Sequence, residues 1–85
     1  MRFALQLSKH FNKEFEDLPE EIQKRVVKEV ELILENPFKQ GVLKLTDRQS
    51  FRTRVGDYRL IFNVNEVERV VTLIAVGHRS KIYER

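Results

Sequence analysis

Cysteine is absent from this chain of 85 residues. That rules out a disulfide framework and a thiolate metal site, although it does not by itself fix a redox compartment. The two histidines, His10 and His78, stand beside no carboxylate pair, so no structural zinc and no other metal or cofactor is expected. Long apolar runs are missing as well. No stretch approaches the roughly 20 residues that span a bilayer, and Gln6 interrupts "RFALQL" too early for a secretory signal. A cytoplasmic location with no membrane partner is the expectation. With three glycines and two prolines there is no linker, repeat or low-complexity tract. What remains is a chain 41% apolar and 34% charged, the balance of a soluble globular protein, and its length allows one domain with a thin core.

The formal net charge of +3 is modest, but its placement is informative. Lys and Arg match Asp and Glu over residues 1–50, so the whole excess lies in residues 51–85, where Arg replaces Lys as the dominant base. The planar guanidinium grips phosphate through paired hydrogen bonds, which points the C-terminal part toward an anionic partner.

The N-terminal half reads as a strand and two helices. Phe3, Leu5 and Leu7 alternate with Arg2, Ala4 and Gln6 at the two-residue period of a half-buried strand. Ser8 can cap a short helix carrying Phe11, Phe15 and Leu18 on one side. Pro19 suits the first position of a second helix, with Glu20 and Glu21 at its positive end and Ile22, Val26, Val30, Ile33 and Leu34 as its buried stripe. Asn36 before Pro37 ends it. Residues 40–50 lose periodicity, leaving an irregular crossing with a short extended piece at "VLKL".

Three strand-like runs follow: "FRTRV", "YRLIFNV" and "RVVTLIAV". Gly56-Asp57 between the first two is a type II′ hairpin signal, and "NEVE" joins the second to the third. The expected class is therefore α+β: a small antiparallel meander with both helices packed on one face. A two-residue loop sets the register, opposing Val55 to Tyr58, Arg54 to Arg59, Thr53 to Leu60, Arg52 to Ile61 and Phe51 to Phe62. One face then carries Phe51, Thr53, Val55, Tyr58, Leu60 and Phe62, and the other carries Arg52, Arg54, Arg59 and Ile61. Like charges directly opposite each other cost up to about 1 kcal/mol, so Arg54 against Arg59 works against stability. An antiparallel third strand returns the tail "GHRSKIYER" to the Gly56 turn, so Arg54, Arg59, His78, Arg79 and Tyr83 are expected within reach of one another.

The strand and two-helix start, "LKL", "FRTRVGDYRLIF" and above all "VGHRSKIYER" resemble the RelE/ParE superfamily of bacterial and archaeal toxins from toxin–antitoxin pairs. The RelE-like branch implies a metal-independent, ribosome-dependent endoribonuclease. It enters the decoding site and cuts messenger RNA by attack of a 2′-hydroxyl on its neighbouring phosphate. A RelB-like antitoxin would silence it, and the resemblance admits a homodimer of the free toxin. By motif, the paired basic residues of the second strand fall on Arg52 and Arg54, the arginine of the GYR motif on Arg59, the tail arginine on Arg79 with His78 before it, and the phenol on Tyr83. Arg59 and Arg79 are expected on the scissile phosphate, Arg52 and Arg54 on flanking phosphates, and Lys81 and Arg85 on RNA backbone; His10 reads as a surface residue.

Two departures bear on the chemistry. Matched members often carry lysines where Arg52 and Arg54 stand, and a guanidinium is a poor general base. The strand has no glutamate to replace it, which leaves Tyr83 or His78 to handle protons, with base stacking as the other use of Tyr83. The chain also ends two residues after Tyr83, without the C-terminal helix of some members. The alternatives within the resemblance are a ParE-like gyrase inhibitor without nuclease activity and an inactive RNA-binding relative.

Overall fold

A computed structural model of the chain describes residues 2–45 and 50–82. In order these form β1 (Ala4–Leu7), α1 (Lys9–Glu16), α2 (Glu20–Glu35), β2 (Leu43–Lys44), β3 (Ser50–Val55), β4 (Tyr58–Asn65) and β5 (Val70–His78). The strands make one sheet in the order β1-β5-β4-β3-β2. The α+β class and the β3-β4-β5 meander are as expected, but the sheet is mixed. β1 runs parallel to β5, with Ala4 to Leu7 beside Val70 to Leu73, which the alternation of residues 2–7 did not foretell.

The helices begin and end on their local chemistry. Ser8, in extended conformation, accepts a hydrogen bond from the Phe11 N–H at 3.0 Å and caps α1. Pro19 is not the first helical residue of α2 but its cap, with φ −56° and ψ 146°, and Glu20 and Glu21 occupy the first turn. A proline suits either place because its missing N–H is not needed there. Asn36 closes α2 in extended conformation before Pro37, and its side chain accepts from the Phe38 N–H at 3.1 Å. Gln23 Nε2 donates to the Phe15 carbonyl at 2.8 Å, binding α2 to the end of α1.

Both helices lie on one face of the sheet. Phe11 of α1 and Val26, Val30, Ile33 and Leu34 of α2 pack against Val55, Leu60, Phe62, Val64, Val71, Leu73 and Val76. Ile33, Leu60 and Phe62 are fully buried, and each contributes about 1.5 to 3 kcal/mol of hydrophobic stabilisation. The hairpin register is the one the two-residue loop demands, from Val55 opposite Tyr58 to Phe51 opposite Phe62. Gly56 takes φ +63° while Asp57 does not join it at positive φ, the signature of a type II′ turn.

Between β4 and β5 the register shifts by one. Ile61 opposes Ala75 and Phe62 opposes Leu73, so Ile74 is an inserted residue. β1 stops beside Leu73, and α1 takes over the edge of β5 from there. Ser8 donates its hydroxyl to the Ile74 carbonyl at 3.0 Å, and Glu14 Oε1 accepts from the Val76 N–H at 2.9 Å. The bulge is thus held by the helix that covers it.

Candidate functional site

The face of the sheet turned away from the helices gathers the arginines. Arg52 and Arg54 alternate with Thr53 on β3, and Arg59 opposes Arg54 from β4. Past the end of β5, the Arg79 N–H donates to the Asp57 carbonyl at 2.9 Å, which fastens the tail to the hairpin turn. Arg54, Arg59 and Arg79 then line one shallow niche with Gly56, Asp57 and Tyr58. Arg54 and Arg79 are exposed, and neither forms an ion pair with any described residue. Arg59 is half-buried with its Nε shielded from solvent. Three guanidiniums concentrated in this way make a locally positive surface whose planar donors can grip an anion such as phosphate.

His78 is elsewhere. The inserted Ile74 reverses which side chains of β5 face the helices, so Val76 and His78 share a side with Leu60 and Tyr58, while Gly77 opposes Arg59. The expectation that His78 joins Arg54 and Arg59 is corrected on this point. Its ring packs edge-on against Tyr58 with centroids 5.4 Å apart. Its Nδ1 accepts from the Ser80 N–H at 3.2 Å and lies 2.8 Å from the Ser80 hydroxyl. The His78 carbonyl receives the Lys81 and Ile82 N–H groups at 2.8 and 3.2 Å. His78 is therefore the residue on which the tail turns. With Lys81 it lines a separate cleft of about 260 Å³ beside Glu14, Asp17 and Tyr58, so Lys81 also stands apart from the arginine niche. Tyr83 and Arg85 lie outside the described residues. His10 is exposed, and its Nε2 lies 3.2 Å from Glu14.

Among the described residues no group of three or more histidines or carboxylates could hold a metal ion. Two other surfaces were not read from the sequence. Leu5, Leu7, Phe11, Phe15, Val27 and Val30 line an open groove of about 410 Å³ between β1 and the two helices, with Arg2, Asn12 and Glu31 at its rim. Its signal was present in the alternation of β1, whose Leu5 and Leu7 are 43% and 47% exposed because the helices do not cover the outermost strand. On the other edge, Arg25 and Lys28 of α2 approach Arg54 and Gly56. Nothing in the helical period marks that approach.

The model of the ParE toxin family of type II toxin–antitoxin systems (parDE) matches residues 5–83. The chain belongs to the RelE/ParE superfamily of toxins. The toxin's fold is found again in solved RelE structures. The archaeal RelE–RelB complex from Pyrococcus horikoshii OT3 matches with a TM-score of 0.84 at 24% identity, over 96% of this chain and 100% of that one. The RelB–RelE complex from Methanococcus jannaschii matches with a TM-score of 0.76 at 27% identity, over 92% and 94%. The isolated RelE toxin of E. coli matches with a TM-score of 0.81 at 22% identity, over 89% and 83%. No curated protein sequence matches the toxin. The family match is thus to ParE, whereas the shape recurs in RelE.

Proposed function

We propose that this toxin is a ribosome-dependent endoribonuclease that acts in the cytoplasm on messenger RNA, kept silent by a RelB-like antitoxin. The observation that carries the reading is the niche shared by Arg54, Arg59 and Arg79 on the open face of the sheet. Arg59 and Arg79 bind the scissile phosphate, and Arg54 and Arg52 hold the flanking ones. The 2′-oxygen attacks phosphorus, its proton leaves, and the P–O5′ bond breaks as the 5′-oxygen gains a proton. The products are a 2′,3′-cyclic phosphate and a 5′-hydroxyl. The guanidiniums neutralise charge at the pentacoordinate phosphorus without a metal.

A guanidinium does not exchange protons at neutral pH, so that duty falls to the phenol of Tyr83 or the imidazole of His78. The bonds from Ser80 to His78 Nδ1 favour a positioning duty for His78 and the phenol for proton transfer. A site with so few proton-handling groups relies on the ribosome to align its substrate, and naked RNA is then cut slowly.

The apolar groove beside β1 suits an amphipathic segment of the antitoxin. The Pyrococcus and Methanococcus neighbours are both complexes with RelB, which supports a partner of that kind.

The test is primer-extension mapping of cuts in ribosome-bound messenger. Arg79→Ala is expected to retain the fold and lose about 10²- to 10³-fold in rate; cleavage within a few-fold of wild type overturns the assignment. One observation favours a second reading, gyrase inhibition without nuclease activity: the matching family model is that of ParE. Induction that damages DNA and leaves messenger intact would select it.

A further inference from the structure

Arg25 and Lys28, one turn apart on the exposed side of α2, stand with Arg54 of β3 around an open groove of about 240 Å³ at the hairpin turn. Arg25 is held close. Its two terminal nitrogens lie 3.1 Å from where a Cβ on Gly56 would stand, so the guanidinium rests against the turn that only a glycine leaves open. β2 covers β3 only at Phe51 and Arg52, which leaves the edge at Arg54 accessible from this side.

The charge in the groove is one-sided. Among the described residues Glu29 is its only acid, and it is already engaged: Lys39 Nζ lies 2.9 Å from Oε2, and Thr53 donates to the same oxygen at 2.9 Å. Arg25, Lys28 and Arg54 form no ion pair with any described residue. Arg54 lines this groove and the arginine niche alike, so the two surfaces meet at one side chain around the Gly56 turn.

We propose that Arg25 and Lys28 form a second phosphodiester-binding surface, which takes the RNA backbone around the hairpin edge from the arginine niche. The proposal rests on the RNA reading of that niche and adds a positioning contact distinct from the chemistry. Phosphate contacts of this kind set register and strength of binding. A protein partner fits the groove less well, because interface cores are poor in charged residues, lysine especially, and among the described residues Leu32 is the one exposed apolar side chain lining it, whereas the larger apolar groove lies beside β1.

The test measures ribosome binding of Arg25→Gln/Lys28→Gln against salt, beside Arg79→Ala and wild type. Both substitutions sit on an exposed helix side and keep good helix formers, so the fold is retained. The double variant is expected to bind about tenfold more weakly, with a log K against log salt slope shallower by about one to two, since each lost phosphate contact removes roughly 0.7 to 0.9. Its cleavage rate at saturation stays near wild type, whereas Arg79→Ala loses rate even at saturation.

Repeating the titration on ribosomes with and without messenger separates the sources. A deficit on both assigns the phosphates to ribosomal RNA, and a deficit only with messenger assigns them to the substrate. Arg25→Lys is expected to restore part of the affinity. An unchanged affinity and salt slope in the double variant overturns the proposal, as does a wild-type toxin that binds no RNA. Weaker antitoxin binding with ribosome binding intact overturns it in favour of an acidic protein segment. If wild type binds ribosomes with the expected salt dependence yet cuts nothing, the nuclease reading fails and the second surface stands.

Discussion

Arg54 and Arg59 stand directly opposite each other across the β3–β4 hairpin, two guanidiniums in adjacent strands on the open face of the sheet. Cross-strand pairs of like charge destabilise a sheet, and residues kept at such a cost are candidates for function. Arg54→Thr removes one charge and leaves a β-branched residue suited to the strand. Its melting temperature is expected to rise by about 1 to 8 °C, from relief of up to roughly 1 kcal/mol, while the proposed messenger cleavage falls about tenfold with the loss of a charged hydrogen bond. A lower melting temperature in calorimetry would mean that the pair belongs to a stabilising network instead.

His78 sits on the helix side of the sheet and spends its Nδ1 on Ser80. His78→Asn separates holding the tail from moving a proton, because an amide oxygen accepts from the Ser80 N–H but does not titrate at neutral pH. Single-turnover cleavage within about threefold of wild type, with the same pH profile, is expected. A loss of about 10²-fold or more is the scale of general acid–base catalysis and would return His78 to the chemistry.

Glu14 supplies the hydrogen-bond acceptor that the edge of β5 lacks once β1 has ended. Glu14→Ala strands the Val76 N–H, at a cost of about 1 to 3 kcal/mol. For a chain of this size that lowers the melting temperature by about 4 to 8 °C per kcal/mol. Glu14→Gln retains an acceptor and is expected to lose less than half as much. Equal losses in thermal denaturation would show that the carboxylate's charge matters more than its bond to β5.

Leu7 and Val27 are each 47% exposed in the apolar groove. Leu7→Asp and Val27→Asp leave the buried core intact, so the toxin is expected to keep its fold and the proposed cleavage of messenger. An antitoxin seated in that groove meets an unpaired carboxylate, and burying one is costly enough to weaken binding by about 10²-fold. Calorimetric titration with the cognate antitoxin measures it, and undiminished affinity in both variants would place the antitoxin elsewhere.

The faces of His78 and Arg79 are not encoded by the residues around them. Counting by two along an uninterrupted β5 from Leu73 would turn Arg79 toward the helices and His78 toward the arginines; the observed arrangement is the reverse. One inserted residue, Ile74, changes the parity of everything after it. Val76 then enters the core, and Arg79 can meet Arg54 and Arg59. The insertion is anchored by Ser8, 66 positions earlier in the chain. The helix cap at Ser8 is legible from its neighbours alone, but its second bond, to Ile74, involves a residue that no local window contains.

The amino-acid sequence alone determined what depends on neighbours a few residues apart. That includes the buried stripe of α2 at the helical period, its end at Asn36-Pro37, the turn at Gly56-Asp57, and the pairing of Arg54 with Arg59 that a two-residue loop enforces. The tertiary structure decided what depends on contacts between distant segments: the parallel seat of β1 beside β5, the bulge at Ile74, the uncovered groove at Leu5 and Leu7, and the approach of Arg25 to Gly56. The reason is physical. Backbone period and turn geometry are set by local sterics and hydrogen bonds, whereas which edge a strand joins and which face a side chain keeps are set by the packing of the whole core.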